Sequence, residues 1–176
     1  METAHQLKIA FQNFAADTNA LVAVLYGEGG TFCAGYDLQE IAAGNITELS
    51  IHDGPMGPTK MELSKPVVAA INGYAVAGGL ELALWCDLRI MEETAILGAF
   101  CRRFGVPLID GGTVRLPALI GLSRSLDLIL TGRGVSAKEA FEMGLVTKVC
   151  KKGEVLEEAI NLAVNLCDFP QDTFKD

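Results

Sequence analysis

Short apolar runs alternate with helix-length segments along this 176-residue sequence, and that alternation predicts an α/β fold with parallel strands. Residues 21–26 and 66–71 are unbroken apolar stretches of strand length, the pattern of strands buried on both faces. Each is followed by glycines, at 27, 29 and 30 and at 73, so the chain turns soon after it. Helical spacing then returns, most clearly at 3–15, 113–131 and 155–166.

The elements follow in order. Residues 3–15 place Leu7, Ala10, Phe11 and Phe14 at helical spacing, with Lys8 and Gln12 elsewhere on the wheel. The strand at 21–26 comes next, then a short helix at 38–43. Gly54, Pro55, Gly57 and Pro58 mark a mobile surface loop. The second strand is 66–71, with Asn72-Gly73 as its turn. From Gly78 onward, Leu80, Leu82, Ala83, Leu84 and Trp85 suit a mostly buried helix that Asp87 ends, and a third strand begins at 88–91. Asp110-Gly111-Gly112-Thr113 is another glycine-rich turn, ahead of helices at 113–120 and 123–131. Ser136-Ala137-Lys138-Glu139 fits a capping box opening a helix that Gly144 closes. Residues 145–150 are the last strand and 155–166 the last helix. No internal repeat is visible, and residues 1–176 read as one domain.

Half the residues are apolar and a fifth are charged, a composition that packs a core. The formal charge of −8 argues against nonspecific nucleic-acid binding, which needs a dense basic face. The five cysteines are odd in number, scattered, and contain no Cys-x-x-Cys pair, so they read as reduced thiols without metal or disulfide roles. No apolar run reaches membrane-spanning length, because Glu81, Asp87 and Arg89 interrupt the longest.

Two segments carry the chemistry: residues 31–38 and residues 72–83. Each follows a buried strand and precedes a helix. A glycine turn there lets backbone approach a ligand closely, and the helix start leaves its first N–H groups unpaired beside the positive end of the dipole. Such a place suits an oxyanion better than a neutral carbonyl. Geometry alone also explains glycines in a strand-to-helix turn, and both readings stand for either loop taken singly. Neither loop is a nucleotide fingerprint.

Taken together, the motifs are more specific. Phe32-Cys33-Ala34-Gly35-Tyr36-Asp37-Leu38, Lys65-Pro66-Val67 running into Asn72-Gly73, Ala77-Gly78-Gly79-Leu80-Glu81-Leu82-Ala83 and Cys86-Asp87-Leu88-Arg89-Ile90 stand in the order and at the spacing of the crotonase (enoyl-CoA hydratase/isomerase) superfamily. Gly111-Gly112-Thr113, Arg115-Leu116-Pro117, Leu130-Thr131-Gly132-Arg133 and Gly144-Leu145-Val146 extend the likeness, so the chain resembles that superfamily over nearly its whole length. The resemblance implies a crotonase-like ββα-spiral core and a substrate that is an acyl-CoA thioester. It implies no separate cofactor, coenzyme A being part of the substrate, and no metal. It also implies an oxyanion hole made by the N–H groups of Tyr36 and Gly78, with residues Tyr36, Asp37, Leu38 and Gln39 against the CoA thioester. Gln39 stands where some relatives carry a phosphate-facing lysine.

Glu81 lies three residues past Gly78, so one helical turn brings both to the same ligand. By resemblance it orients or deprotonates water; a solvent-facing helix position is the alternative, and the apolar neighbours Leu80, Leu82, Leu84 and Trp85 speak against it. Burial would raise its pKa and improve it as an acid/base. The second glutamate of the hydratases falls here on Cys101, which reads as a packing residue or, with Arg102 and Arg103 lowering its pKa, as a thiolate. Asp110 matches the aspartate that dienoyl-CoA isomerases use as a second acid/base. It is equally good turn chemistry. His5 and His52 have no visible partner, Asp87 reads as a structural cap and Trp85 as core.

Against the superfamily pattern, the sequence begins inside the first helix and stops before the trailing helices, so the domain reads as incomplete at both ends. Uncovered edges and faces then predict self-association, and the resemblance implies a homo-oligomer, a trimer or hexamer. The leading functional expectation is a hydratase or isomerase acting through a thioester enolate. The competing one is a catalytically impaired acyl-CoA-binding or assembly protein. Cytoplasm is the expected compartment if Met1 is the start, the mitochondrial matrix if it is not. No membrane or nucleic-acid partner is expected.

Overall fold

The structure is a computed structural model and describes residues 2–39 and 54–170. The first helix, α1 (Glu2–Ala16), leads into β1 (Ala23–Tyr26). After the segment at 54–66 come β2 (Val67–Ile71), β3 (Tyr74–Val76) and α2 (Gly78–Trp85). Strands β4 (Leu88–Glu92) and β5 (Ile96–Gly98) precede a 3-10 turn at Phe100–Phe104, then α3 (Gly112–Ile120) and α4 (Leu122–Thr131). The chain continues through β6 (Gly134–Ser136), α5 (Ala137–Met143), β7 (Lys148–Cys150) and α6 (Val155–Cys167).

Two sheets are present among the described residues. The larger has the order β1-β2-β4-β7 and is parallel throughout. The smaller has the order β3-β5-β6, with β3 parallel and β6 antiparallel to β5. The expected α/β alternation with parallel strands is therefore observed. Every residue of β2 is buried, as its unbroken apolar sequence requires. Its side chains alternate between two cores. Val67, Ala69 and Ile71 join the large one with α1, α2, α3 and α4. Val68 and Ala70 join a smaller one against Val155, Ala159 and Ala163, one apolar stripe of α6.

Asp87 and Arg89 tie this framework together. Asp87 accepts the Val67 N–H at 2.7 Å through Oδ2, pinning the start of β2 to the end of α2. The buried Arg89 guanidinium donates to the carbonyls of Leu145 and Cys86, spending its charge on otherwise unpaired backbone. Trp85 packs edge-to-face on Phe11 with centroids 4.8 Å apart, and its Nε1 donates to Met61 O.

Four expectations are corrected. β1 is half-buried rather than fully buried, because it lies at the edge of the larger sheet. The strands of the smaller sheet were not expected, since three residues are too few to show a period. The supposed mobile loop is packed: Gly54, Met56, Gly57, Pro58 and Thr59 are all buried. In the capping box, Ser136 accepts the Glu139 N–H at 3.3 Å as expected, but the Glu139 carboxylate binds Arg133 instead of reaching back. Of the helix expected at 38–43, residues 40–43 lie outside the described residues. No helix among the described residues is long and apolar enough to cross a membrane.

Candidate active site

The two loops singled out in the sequence meet. Cys33 bridges to Ala75 in parallel fashion, with Cys33 N–H donating to Tyr74 O and Val76 N–H donating to Cys33 O, both at 3.0 Å. Gly35 follows with φ 89° and lies against the start of α2. A Cβ there would sit 2.9 Å from Gly78 N and 3.1 Å from the Ala77 side chain, so only glycine allows this approach. Ala77 caps α2 with φ 53°, the one non-glycine residue with positive φ among the described residues. With ψ −124° it lies in a sparsely populated region that costs on the order of 1–3 kcal/mol. Here it turns the chain from β3 into α2 so that the first N–H groups of the helix face the loop.

Gly78 is also closely covered, since a Cβ would come within 2.7 Å of Met56 Sδ. No acceptor among the described residues engages the N–H of Tyr36 or of Gly78. Both residues line a cavity of about 500 Å³ together with Leu38, Glu81, Cys101 and Asp110. The rest of its wall is apolar, including Val76, Phe100, Phe104, Val106 and Ile109. A neighbouring cavity of about 550 Å³ shares Tyr36 and adds Gly35, Asp37 and Met56. Tyr36, Gly78, Leu38, Glu81 and Asp110 therefore converge as the sequence suggested. Asp37 lines the neighbouring cavity and accepts the Gln39 N–H at 2.8 Å, a local turn bond. Gln39 is exposed and lines neither cavity.

Glu81 is 2 % exposed, so the solvent-facing alternative is excluded. Its Oε1 accepts N–H bonds from Asp110 at 2.9 Å and Gly112 at 2.8 Å, the latter being the first residue of α3. Gly112 must be glycine for this contact: a Cβ would lie 2.8 Å from Glu81 Cγ. Burial pushes the Glu81 carboxyl above its ordinary value; the Gly112 N–H opposes that, and the charge of Asp110 reinforces it. Two buried carboxylates thus share one site, separated by a turn of backbone.

Asp110 is fully buried. Its Oδ1 accepts the Met56 N–H at 2.9 Å and the Thr59 hydroxyl, while Oδ2 has no partner among the described residues. Arg115 locks the same junction, donating to Asp110 O and to Thr59 O at 2.7 Å each. Met56 and Thr59 were not foreseen as site residues. Their only signal was the Gly/Pro cluster around them, which reads as a loop in sequence because the carboxylate that orders it is more than 50 positions away.

The other candidates separate cleanly. Burial pushes the Cys101 thiol up, with the Arg102 N–H pulling the other way and the Glu81 charge adding to burial. Arg103 does not activate it, since its guanidinium stacks 3.6 Å from the Phe100 ring and its Nε donates to Gly132 O. Cys101 is a 7 % exposed wall of the cavity, the place of a packing residue. All five cysteines are free, and no group of three or more metal-binding side chains occurs among the described residues. His5 sits on the exposed face of α1, and His52 lies outside the described residues.

Known proteins resemble this chain in sequence and in fold. Carnitinyl-CoA dehydratase of Salmonella typhi is 37 % identical over 168 residues, covering 94 % of this chain and 64 % of that protein. A peroxisomal bifunctional enzyme of Danio rerio is 38 % identical over 174 residues, covering 94 % of this chain and 23 % of its own length. Among solved structures, an enoyl-CoA hydratase from Mycobacterium marinum superposes with a TM-score of 0.90 at 35 % identity, covering 98 % of this chain and 68 % of that one. One from Bacillus anthracis gives 0.88 at 39 % identity, with the same coverage. The chain thus spans about 64 % of the length of the dehydratase relatives it matches. The sequence profile of the enoyl-CoA hydratase/isomerase family matches residues 1–176, and the chain belongs to that family.

Proposed function

We propose that this chain acts on acyl-CoA thioesters as a hydratase or isomerase, holding the thioester oxygen with the N–H groups of Tyr36 and Gly78 and moving protons with Glu81. The observation that carries the reading is the meeting of two N–H groups, unpaired among the described residues, with two buried carboxylates on one otherwise apolar cavity. As an enolate forms, negative charge grows on the thioester oxygen. Two preplaced donors at a helix start stabilise that charge more than they stabilise the neutral carbonyl, and losing one costs about 3 kcal/mol.

Glu81 suits an acid/base role because its raised pKa brings it nearer neutrality. In hydration it activates water while Asp110 or another group delivers a proton to the α-carbon. In isomerisation a single carboxylate carries the proton between carbons. Asp110 fits the second role through Oδ2, the oxygen its structural bonds leave free. The acyl chain would occupy the apolar cavity, and the CoA side would pass residues 36–39, one of which, Asp37, lines the adjoining cavity. The names of the relatives, a dehydratase and hydratases, support the same chemistry. No cofactor beyond the CoA of the substrate is required.

Assembly as a trimer or hexamer belongs to the same reading. It is supported by exposed apolar side chains along α3 and α4, namely Val114, Leu119, Leu122, Leu126 and Leu130.

Incubating the protein with crotonyl-CoA and following the enoyl absorbance tests the proposal. The expected result is turnover that Glu81→Gln lowers by about 10²–10⁴-fold. Unchanged turnover in that variant would remove Glu81 from the mechanism. Retained CoA-ester binding with no turnover on several enoyl- and dienoyl-CoAs would make this a binding or assembly protein instead.

A further inference from the structure

The N–H of Gly78 belongs to a peptide unit that is firmly held at one end only. That unit begins at Ala77, whose carbonyl accepts the N–H groups of Leu80 and Glu81 at 3.1 and 3.3 Å. It ends at a glycine, which has no side chain to pack and a wide range of backbone angles open to it. No side chain among the described residues caps the start of α2, and Ala77 is in a sparsely populated conformation. A strained residue joined to a glycine relaxes unless its surroundings prevent it.

Met56 prevents it. Where a Gly78 Cβ would stand, Met56 Sδ comes within 2.7 Å and Met56 Cγ within 3.0 Å, with Gly35 Cα at 3.4 Å. Another segment thus supplies the packing that Gly78 cannot make for itself. Met56 lines only the cavity of about 550 Å³ and Gly78 only that of about 500 Å³, so the thioether stands between the two. A free methionine is too flexible to fix a neighbour, but the backbone of this one is anchored along its segment. Asp110 Oδ1 accepts the Met56 N–H at 2.9 Å. Gly57 lies against α1, where a Cβ would sit 2.5 Å from Ala4 O. Thr59 is held by Asp110 and Arg115, and Met61 O accepts the Trp85 Nε1–H. With Met56 only 8 % exposed, the side chain has little room to leave.

We propose that Met56 is a positioning residue, whose side chain stands in for the one Gly78 lacks and keeps the Gly78 N–H aimed at the thioester oxygen. This rests on the acyl-CoA reading above and adds to it a residue that touches no reacting atom. The kinetic signature follows from when the donor acts. Its hydrogen bond strengthens as charge develops on the oxygen, whereas most of the binding of the ester comes from contacts elsewhere along it. A displaced donor therefore lowers kcat and leaves KM nearly unchanged. What the brace requires of residue 56 is volume, because the contact is van der Waals packing and not a hydrogen bond.

The test compares Met56→Ala, which empties the space beside Gly78, with Met56→Leu, which refills it at nearly the same volume. Crotonyl-CoA turnover is measured at a temperature where urea curves show both variants fully folded. The alanine variant should lose on the order of 10- to 100-fold in kcat with KM within about twofold, and leucine should restore kcat to near the wild-type value. Val155→Ala, a truncation in the smaller core under α6, is the control: it should lower the urea midpoint and leave kcat unchanged. Met56→Val, a milder truncation, gives the same split to a smaller extent should the alanine variant not fold. Wild-type kcat in the truncated variants overturns the brace and leaves the acyl-CoA reading intact. A raised KM at unchanged kcat also overturns it, since Met56 is then a wall for the bound ester. So does a leucine variant as slow as the alanine one, because filling the space is then not what matters. If the wild type turns over no enoyl-CoA, the acyl-CoA reading fails, and the brace with it.

Discussion

Replacing Gly35 by alanine should dismantle the pair of N–H donors without touching a catalytic side chain. Two costs act at this position. The residue has φ 89°, where an L-side chain pays roughly 1–2 kcal/mol. Its new Cβ would also sit 2.9 Å from Gly78 N and 3.1 Å from the Ala77 Cβ, and overpacking of this kind typically costs about 1–3 kcal/mol. Neither neighbour is the free end of a flexible side chain, so the loop bearing Tyr36 must move away from α2. Misaligning one donor is expected to lose about 3 kcal/mol of transition-state stabilisation, a fall in kcat/KM on the order of 100-fold. Gly153 is the matched control. Its φ is 88°, almost identical, but a Cβ there meets nothing within 4 Å. Gly153→Ala should therefore pay the backbone cost alone and keep full turnover. Urea unfolding and crotonyl-CoA hydration, measured on both variants, separate the contributions. If Gly35→Ala remains folded and hydrates at the wild-type rate, the close approach of the two loops is not what builds the site.

Glu81→Gln carries a pH signature in stability as well as in rate. The folded pKa of Glu81 is raised, so from about its ordinary value of 4.5 upward the folded chain holds a proton that the unfolded chain has released. Stability is favoured below that window and declines as pH rises through it, while the glutamine variant, whose Oε1 still accepts from Asp110 and Gly112, lacks this decline. Urea midpoints at pH 4.5 and 7.5 should therefore diverge between the two proteins, and parallel curves would contradict the raised pKa. Asp110→Asn should fold normally, because its amide oxygen still accepts from Met56 and Thr59, yet lose turnover. Asp110→Ala should cost about 2–4 kcal/mol by stranding both donors. Full turnover in the asparagine variant would reduce Asp110 to a turn residue. Arg115→Met strands the carbonyls of Asp110 and Thr59 and should cost about 2–4 kcal/mol in urea unfolding; a neutral effect would mean water replaces the clamp.

Much of this site was legible in sequence because the motifs that carry the family resemblance are local. Gly35 and Tyr36 are adjacent, Gly78 and Glu81 are one turn apart, and both loops carry glycines that allow close backbone approach. The α/β alternation was equally local, each buried strand being a run that needs no partner to be recognised. What stayed hidden depends on long-range contact. The segment around Met56 looks like a loop, since nothing near it in sequence announces the buried carboxylate that orders it. The β3-β5-β6 sheet is hidden for the same reason: three-residue strands acquire their identity from pairing, as Tyr74 does with Ile96. Arg103 was misjudged because adjacency to Cys101 suggested proximity of charge, whereas the guanidinium turned to the Phe100 ring.

Asp110 shows why sequence left two readings of one residue standing. A turn carboxylate and an acid/base are usually competing explanations, since each spends the same oxygens. Here the two oxygens are divided. Oδ1 is committed to Met56 and Thr59 and holds the segment that covers Gly78, while Oδ2 is buried with no partner among the described residues. The bonds to Oδ1 also hold Met56, whose Sδ lies 2.7 Å from where a Gly78 Cβ would stand. On the proposed acid/base reading, stability and chemistry are therefore coupled through one side chain. A substitution that keeps Oδ1 as an acceptor but changes Oδ2 separates them, which no change at Thr59 or Arg115 can do, because those residues act only on the structural half.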